Sequence, residues 1–148
     1  MNDDEPWREN LITKSSGIRE LLENTKRIAV LGIKCESDRP AYFVPEYVQE
    51  AGYEIVPVPV YYPGCTEILG KKVYRKLAEI PGDIDMVNVF RRPEHIPPHV
   101  DDIIAKKPKS VWFQSGIRND AAAAQLARAG IRVVQDRCLM VELRRIGR

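Results

Sequence analysis

Basic side chains follow three of the apolar runs in this sequence, at the points where the chain would leave a buried strand. They are Lys34, Arg39, Arg91, Arg92 and Arg118. An arginine guanidinium is planar and can bind two phosphate oxygens at once, and each charge-assisted bond contributes roughly 1.5 to 3 kcal/mol when it is partly desolvated. The chemistry that these side chains predict is binding of a ligand with several phosphates.

The first of these stretches, residues 26–42, has the layout of a strand, a loop and a helix start. Residues 28–31 are a continuous apolar run, Gly32 ends it, and a mostly polar loop leads to Arg39 and Pro40, where proline suits the first helical turn. Unpaired N–H groups and the positive end of the helix dipole meet at such a place and stabilise an anion. The alternative is an ordinary strand-to-helix turn without a ligand.

The wider pattern alternates short apolar runs with helical segments. Strands are predicted at 28–31, 53–58, 84–90, 110–114 and 131–135, and helices at 15–22, 40–51, 93–107, 119–129 and 137–145. A helix of only one or two turns is also predicted within residues 71–81. This alternation predicts an α/β fold with three layers, namely a Rossmann-like doubly wound parallel sheet of about five strands in the order 3-2-1-4-5. Ligands then bind where the strand order reverses, between the first and fourth strands.

Composition narrows the class of protein. The chain has 148 residues, of which 44% are hydrophobic and 30% charged, as in a globular protein with one core. We expect residues 1–25 to form a lead-in, frayed up to residue 12, and a helix, and residues 26–148 to form the binding domain. No apolar run reaches the roughly 20 residues of a membrane span, the N-terminus lacks the apolar region of a secretory signal, and charges are interspersed. A cytoplasmic protein without membrane or nucleic-acid partners is therefore expected.

Catalytic and metal sites are not indicated. Cys35, Cys65 and Cys138 are an odd set without a C-x-x-C pair, which predicts reduced thiols rather than a disulfide framework or a zinc site. His95 and His99 are four residues apart, but two prolines lie between them and no third ligand is evident, so solvent-exposed helix residues are expected. Motifs of serine hydrolases, P-loop proteins and zinc proteases are missing from the sequence.

A nicotinamide dinucleotide is also disfavoured. Gly32 stands alone where a dinucleotide-binding fold has G-x-G-x-x-G, and Pro57-Val58-Pro59 stands where an acidic residue would bind the ribose hydroxyls.

Four stretches match one family when they are taken together. They are residues 39–42 (Arg-Pro-Ala-Tyr), 87–94 (Val-Asn-Val-Phe-Arg-Arg-Pro-Glu), 114–117 (Gln-Ser-Gly-Ile) with Asn119, and 136–138 (Asp-Arg-Cys). In this order they resemble the small stand-alone CoA-binding domain proteins, related in fold to the N-terminal domain of the succinyl-CoA synthetase alpha subunit. The resemblance implies coenzyme A with its pyrophosphate at the first loop, its adenosine near the second and third loops, and pantetheine over the sheet edge.

The sequence departs from that family at two places. Ile33-Lys34 replaces the usual Ala-Ser of the first loop, and Pro59-Val60 replaces the usual Asn-Pro after the second strand. Lys34 offers a cation where the family has a hydroxyl.

The residues at the predicted strand ends and the resemblance to the CoA-binding domain proteins together indicate a candidate cofactor site. No catalytic or metal-binding residue is predicted. Its residues are Gly32, Ile33, Lys34, Cys35, Ser37, Arg39, Pro40, Pro57, Val58, Phe90, Arg91, Arg92, Gln114 and Gly116. The predicted function is non-catalytic binding of coenzyme A or an acyl-CoA. Two alternatives stay open: a small enzyme acting on a CoA thioester or a nucleotide with Cys35 or Cys138 as nucleophile, and a protein-interaction module with a degenerate site. Whether the chain forms a homodimer also stays open.

Overall fold

The structure is a computed structural model that describes residues 5–148. Its strands are β1 (Arg27–Leu31), β2 (Glu54–Val58), β3 (Glu67–Ile68), β4 (Lys71–Lys72), β5 (Met86–Val89), β6 (Ser110–Phe113) and β7 (Arg132–Val134). Its helices are α1 (Ser15–Glu23), α2 (Pro40–Glu50), α3 (Val100–Lys106), α4 (Asp120–Arg128) and α5 (Leu139–Arg145). Short 3-10 turns lie at Pro6–Asn10, Leu77–Glu79, Pro93–His95 and Pro97–His99.

The central sheet has five parallel strands in the order β2-β1-β5-β6-β7, and β3 and β4 form a separate antiparallel hairpin. The predicted class, a parallel sheet between helices, is confirmed. The predicted strand order is wrong, because β5 lies between β1 and β6 instead of beyond β2. After β2 the chain passes through the hairpin and the Leu77–Glu79 turn, which packs against α3, and re-enters the sheet beside β1. The strand order therefore reverses between β1 and β5.

Two buried clusters, one on each face of the sheet, hold the layers together. One includes residues of α1, α2 and α5, and the other includes residues of α3 and α4. Trp112 and Phe113 are adjacent in β6 and belong to different clusters, and both are fully buried, as expected for core residues of a strand. Both faces of the sheet are thus covered, which explains the unbroken apolar character of the strands.

Proline shortens the third predicted helix. The expected helix over residues 93–107 is two 3-10 turns followed by α3, which begins only at Val100. Pro97 and Pro98 lack the N–H groups that an α-helix would need at these positions. The predicted frayed lead-in is also wrong for the residues described, since residues 6–10 pack on α4 and Leu11 pairs with Val133 at the sheet edge. Residues 1–4 lie outside the described part of the chain.

Within residues 5–148, every helix falls short of the length and apolar character that crossing a membrane requires.

Candidate functional site

Gly32 forms the floor of the site at the point where the strand order reverses. Its N–H donates to the carbonyl of Val58 at 2.9 Å, and the N–H of Phe90 donates to the carbonyl of Leu31 at 2.8 Å. Gly32 has φ +92°, and a Cβ there would overlap the carbonyl oxygen of Phe90 and lie 3.0 Å from its carbonyl carbon. Only glycine lets the ends of β1 and β5 approach this closely.

Lys34 is positioned by a gap in the hydrogen bonds of α2. Pro45 lies inside that helix and has no N–H to donate to the carbonyl of Ala41. The N–H of Lys34 donates to this carbonyl instead, at 3.1 Å. The first loop is thus tied to the first turn of α2, and no side chain of the described residues caps that turn at Arg39. An uncapped helix start of this kind stabilises an anion.

Two adjoining cavities open above this floor. The loop cavity, about 280 Å³, is lined by Gly32, Ile33, Lys34, Val60, Tyr61, Tyr62, Phe90, Arg91, Arg92 and His95. The helix cavity, about 310 Å³, is lined by Lys34, Arg39, Pro40, Ala41, Phe90, Arg91, Arg92, Pro93, Gly116 and Ile117. Four residues line both cavities, and three of them are cations, so the two form one site with a basic wall.

Within residues 5–148, the cations of this site are not neutralised by acidic side chains. In the part of the chain that the structure describes, no carboxylate forms an ion pair with Lys34, Arg39, Arg91 or Arg92. A basic cluster of this kind without acidic partners is suited to an anion with several charges.

A larger cavity of about 540 Å³ lies between the N-terminal segment and the edge strand β7. The arginines that line it have protein partners. Arg118 lies 3.1 Å from a carboxylate oxygen of Asp120, and Arg137 donates to the carbonyl of Thr13. Arg118, one of the five basic residues at the predicted strand ends, therefore belongs to another surface and has an acidic partner there.

Arg91 is held from two sides. Its Nε donates to Nε2 of His99 at 3.3 Å, and its guanidinium carbon lies 5.3 Å from the ring centre of Tyr61. Burial lowers the pKa of His99, and the positive charge of Arg91 lowers it further, so the imidazole is neutral and accepts. His99 is half-buried, contrary to the prediction of an exposed histidine.

Arg75 shapes the loop after β2. Its guanidinium donates to four carbonyls of that loop, those of Tyr61, Tyr62, Pro63 and Cys65, at 2.7 to 3.4 Å. These bonds fold the loop so that both tyrosines line the loop cavity. Sequence analysis missed Arg75, because nothing in its local pattern indicates a contact ten or more residues upstream.

Cys35 and Cys65 form a disulfide, which corrects the prediction of reduced thiols. Their Cα atoms are 6.9 Å apart across 30 residues of sequence. The loops after β1 and β2 meet because these strands are adjacent and parallel, and spacing along the chain does not reveal this. Cys138 is free and half-buried.

Comparison with known proteins agrees with this geometry. The model of a family described as a CoA binding domain matches residues 26–144. The chain belongs to this CoA-binding domain family.

Similar proteins cover the CoA-binding domain nearly end to end. The Bacillus subtilis (strain 168) protein YneT is 40% identical over 124 residues, which are 84% of this chain and 90% of YneT. The structure of cell-free ID.343 from Thermus thermophilus matches with a TM-score of 0.84 at 38% identity, covering 90% of this chain and 99% of that one. The structure of a protein from Pyrococcus horikoshii OT3 matches with a TM-score of 0.85 at 34% identity, covering 92% of this chain and 94% of that one.

Most of the predicted site residues line the two cavities of this CoA-binding domain. These are Gly32, Ile33, Lys34, Arg39, Pro40, Phe90, Arg91, Arg92 and Gly116. The predicted list lacks seven further lining residues, of which three lie within the stretches that match the family: Ala41, Pro93 and Ile117, and in addition Val60, Tyr61, Tyr62 and His95. The position of Tyr61 and Tyr62 just beyond the second strand was the signal that could have found them, since ligands bind at such ends.

The other predicted residues lie beside the cavities. Pro57 and Val58 are buried within β2, Ser37 is exposed in the first loop, and Cys35 is bonded to Cys65. Gln114 is buried, and its Oε1 accepts hydrogen bonds from other parts of the protein interior. It supports the sheet beneath the site.

Proposed function

We propose that this protein binds coenzyme A, or an acyl-CoA, across the loop and helix cavities and does not turn it over. The single observation that carries the proposal is a group of cations around one site that have no acidic partner in the described part of the chain, namely Lys34, Arg39, Arg91 and Arg92. Coenzyme A has a pyrophosphate and a phosphate monoester, which together carry about four negative charges at neutral pH. Family membership supports coenzyme A in general, and the charge of the site supports the phosphates as its anchor.

The pyrophosphate fits best at the boundary of the two cavities. There Lys34 and the first turn of α2 provide a cation and one backbone donor, the N–H of Ala41, on one side, and Arg91 and Arg92 provide cations on the other. A backbone N–H and a helix dipole need no rearrangement when the anion arrives, so this part of the site is ready to bind.

Tyr61 offers a place for the adenine ring. Its side chain is 61% exposed while its ring is covered on one side by Arg91. Stacking of a base on such a ring contributes about 1 to 3 kcal/mol. In this arrangement Arg91 both contacts phosphate and supports the stacking ring.

Ile33 leaves the site open despite its size. It is 1% exposed and belongs to the core cluster of α1, α2 and α5, so its bulk extends into the interior. The protein-interaction alternative is favoured if Ile33 and Pro59 fill the pocket, and Pro59 is buried and does not line either cavity. The enzymatic alternative has Cys35 or Cys138 as nucleophile; Cys35 is bonded to Cys65, and Cys138 is free.

Isothermal titration calorimetry with coenzyme A, its 3′-dephospho form and NAD tests the proposal. We expect Lys34→Ala and Arg91→Ala each to weaken coenzyme A binding by about 1 to 3 kcal/mol, roughly 5- to 150-fold. Arg132→Ala is the control, because this exposed arginine is the first residue of β7 and lies at the amino ends of the parallel strands, away from the carboxyl ends where the two cavities are. Binding by both site variants as tight as wild type would refute the site, and hydrolysis of acetyl-CoA would refute the non-catalytic role.

A further inference from the structure

The disulfide joins two walls of the loop cavity. Cys35 follows Lys34 directly, and Cys65 ends the turn that begins at Tyr62, where the N–H of Cys65 donates to the carbonyl of Tyr62 at 3.0 Å. The loop cavity is lined by Lys34 on the Cys35 side of the bond and by Tyr61 and Tyr62 on the Cys65 side. The covalent link thus spans the site without lying in its lining.

Without this bond the two walls are separate units. One wall, residues 60–66, is called the tyrosine wall, and its carbonyls accept hydrogen bonds from Arg75. The other wall, residues 33–39, is called the Lys34 wall, and the N–H of Lys34 ties it to α2 through the carbonyl of Ala41. Among the described residues, no hydrogen bond joins residues 33–39 to residues 60–66. Within the described residues, the disulfide is thus the only disulfide or hydrogen bond that joins these two stretches.

We propose that Cys35 and Cys65 are a reversible redox site that sets the ligand affinity of the loop cavity. In the oxidised state the Tyr61–Tyr62 wall is held against the Lys34 loop, and the ligand finds both walls in place. In the reduced state the tyrosine wall moves independently, and binding must order it. The inference rests on the proposed function, since it concerns the same site.

The chemistry is thiol–disulfide exchange with a low-molecular-weight disulfide, RSSR. One cysteine thiolate attacks RSSR, forms a mixed disulfide and releases RS⁻, which takes up the proton that the cysteine lost. The second cysteine thiolate then attacks the mixed disulfide at the protein sulfur and releases the second RS⁻, which is protonated likewise. Two protein thiols are oxidised to one disulfide while one RSSR is reduced to two RSH, and excess RSH reverses the reaction.

Both sulfurs are accessible enough for this exchange. Cys35 and Cys65 are half-buried at the margin of the core cluster of α1, α2 and α5, and the loop that carries Cys65 is exposed on both sides of it. Structural disulfides that resist exchange are usually enclosed, whereas exposed ones are labile.

The test compares protein equilibrated with oxidised glutathione and protein equilibrated with reduced glutathione. Alkylation and intact mass count the free thiols, which should be Cys138 alone in the oxidised protein and all three cysteines in the reduced protein. Calorimetry with acetyl-CoA, which has no free thiol to exchange, should give binding about tenfold tighter in the oxidised protein.

Matched variants separate the redox site from other effects. Cys35→Ser with Cys65→Ser should bind with the affinity of the reduced wild type under both conditions, while Cys138→Ser should respond as the wild type does. A thiol count that stays at three over the glutathione range, or equal affinities of the two redox states, would overturn the inference and leave the proposed function standing. Absence of acetyl-CoA binding in both states would overturn both.

Discussion

Replacing Gly32 by alanine adds only one methyl group, but it should destabilise the protein strongly and distort the candidate site. The residue has φ +92°, and an added Cβ would overlap the carbonyl oxygen of Phe90 on the neighbouring strand. This atom belongs to the backbone of the chain as it leaves β5, so it cannot rotate away as a side chain would. Relief requires the ends of β1 and β5 to separate at the point where the ligand is proposed to bind.

The magnitude follows from two separate terms. An L-residue in a left-handed conformation costs about 1 to 2 kcal/mol, and forcing an extra methyl group into a packed region costs about 1 to 3 kcal/mol. We therefore expect Gly32→Ala to lower the free energy of unfolding by about 2 to 5 kcal/mol. At roughly 2.1 cal/mol/K for each of 148 residues, the unfolding entropy is about 0.31 kcal/mol/K, so Tm falls by about 6 to 16 °C.

Two other glycines separate these terms in thermal and urea denaturation. Gly116 has φ +81° with open space around its Cβ position, so Gly116→Ala should show the backbone term alone, about 1 to 2 kcal/mol. Gly64 has open space and no positive φ, so Gly64→Ala should leave stability unchanged or raise it by up to about 1 kcal/mol. If Gly32→Ala were no more destabilising than Gly116→Ala, the close approach to Phe90 would not constrain the sheet, and the reasoning would be wrong.

Other predictions concern the pH dependence of stability, a helix cap and the disulfide. Burial and the charge of Arg91 lower the pKa of His99 in the folded protein. The contribution of His99 to stability should therefore be constant above the ordinary histidine pKa and decrease as the pH falls from that pKa towards the lower pKa of the folded state. A plot of Tm against pH should be flatter for His99→Gln. Asn119 caps α4, so Asn119→Ala should cost about 1 to 2 kcal/mol in urea denaturation, against little change for Gln125→Ala on the exposed face of the same helix. Reducing Cys35–Cys65, which closes 30 residues, should lower stability by about 3 to 4 kcal/mol, and a reductant should not affect the double serine variant.

Local patterns predicted the elements of this fold well. The run at 28–31 became β1, and the expected helix at 119–129 became α4, Asp120–Arg128, with Asn119 as its cap. Both predictions rest on interactions within a few residues of sequence: a strand buried on two faces must be apolar throughout, and a helix start needs an acceptor for its first N–H groups. Such requirements can be found without knowing the rest of the chain.

Lateral strand order depends on contacts between distant segments. The 27 residues between β2 and β5 contain a hairpin and the Leu77–Glu79 turn instead of the short helix predicted within 71–81. This turn packs on α3, which lies further along the chain, so its place in the fold is not visible in the local sequence. Most of the predicted residues nevertheless line the same two cavities, because both strand orders bring the first loop to the carboxyl edge of the sheet near a reversal of strand order.

The disulfide and the Arg75 contacts were missed for the same reason. Cys35 and Cys65 are close only because β1 and β2 are parallel neighbours, and Arg75 reaches Tyr61 only because the chain returns along the edge of β2, where the N–H of Tyr74 donates to a strand carbonyl. Each of these contacts joins loops whose conformations depend on the completed sheet. Residues that line the site from such loops cannot be identified from their immediate neighbours.

Pro45 shows how a local disadvantage becomes part of the site. Taken by itself, a proline inside α2 removes a hydrogen bond and argues against a continuous helix. In the structure the helix continues through Pro45, and the carbonyl of Ala41 that it leaves without its usual donor accepts the N–H of Lys34. The loop that carries the cation is therefore fixed by the helix whose N-terminus faces the same cavity. Lys34 and the start of α2 are held in one geometry before any ligand arrives, which is the condition under which a short loop binds phosphate tightly.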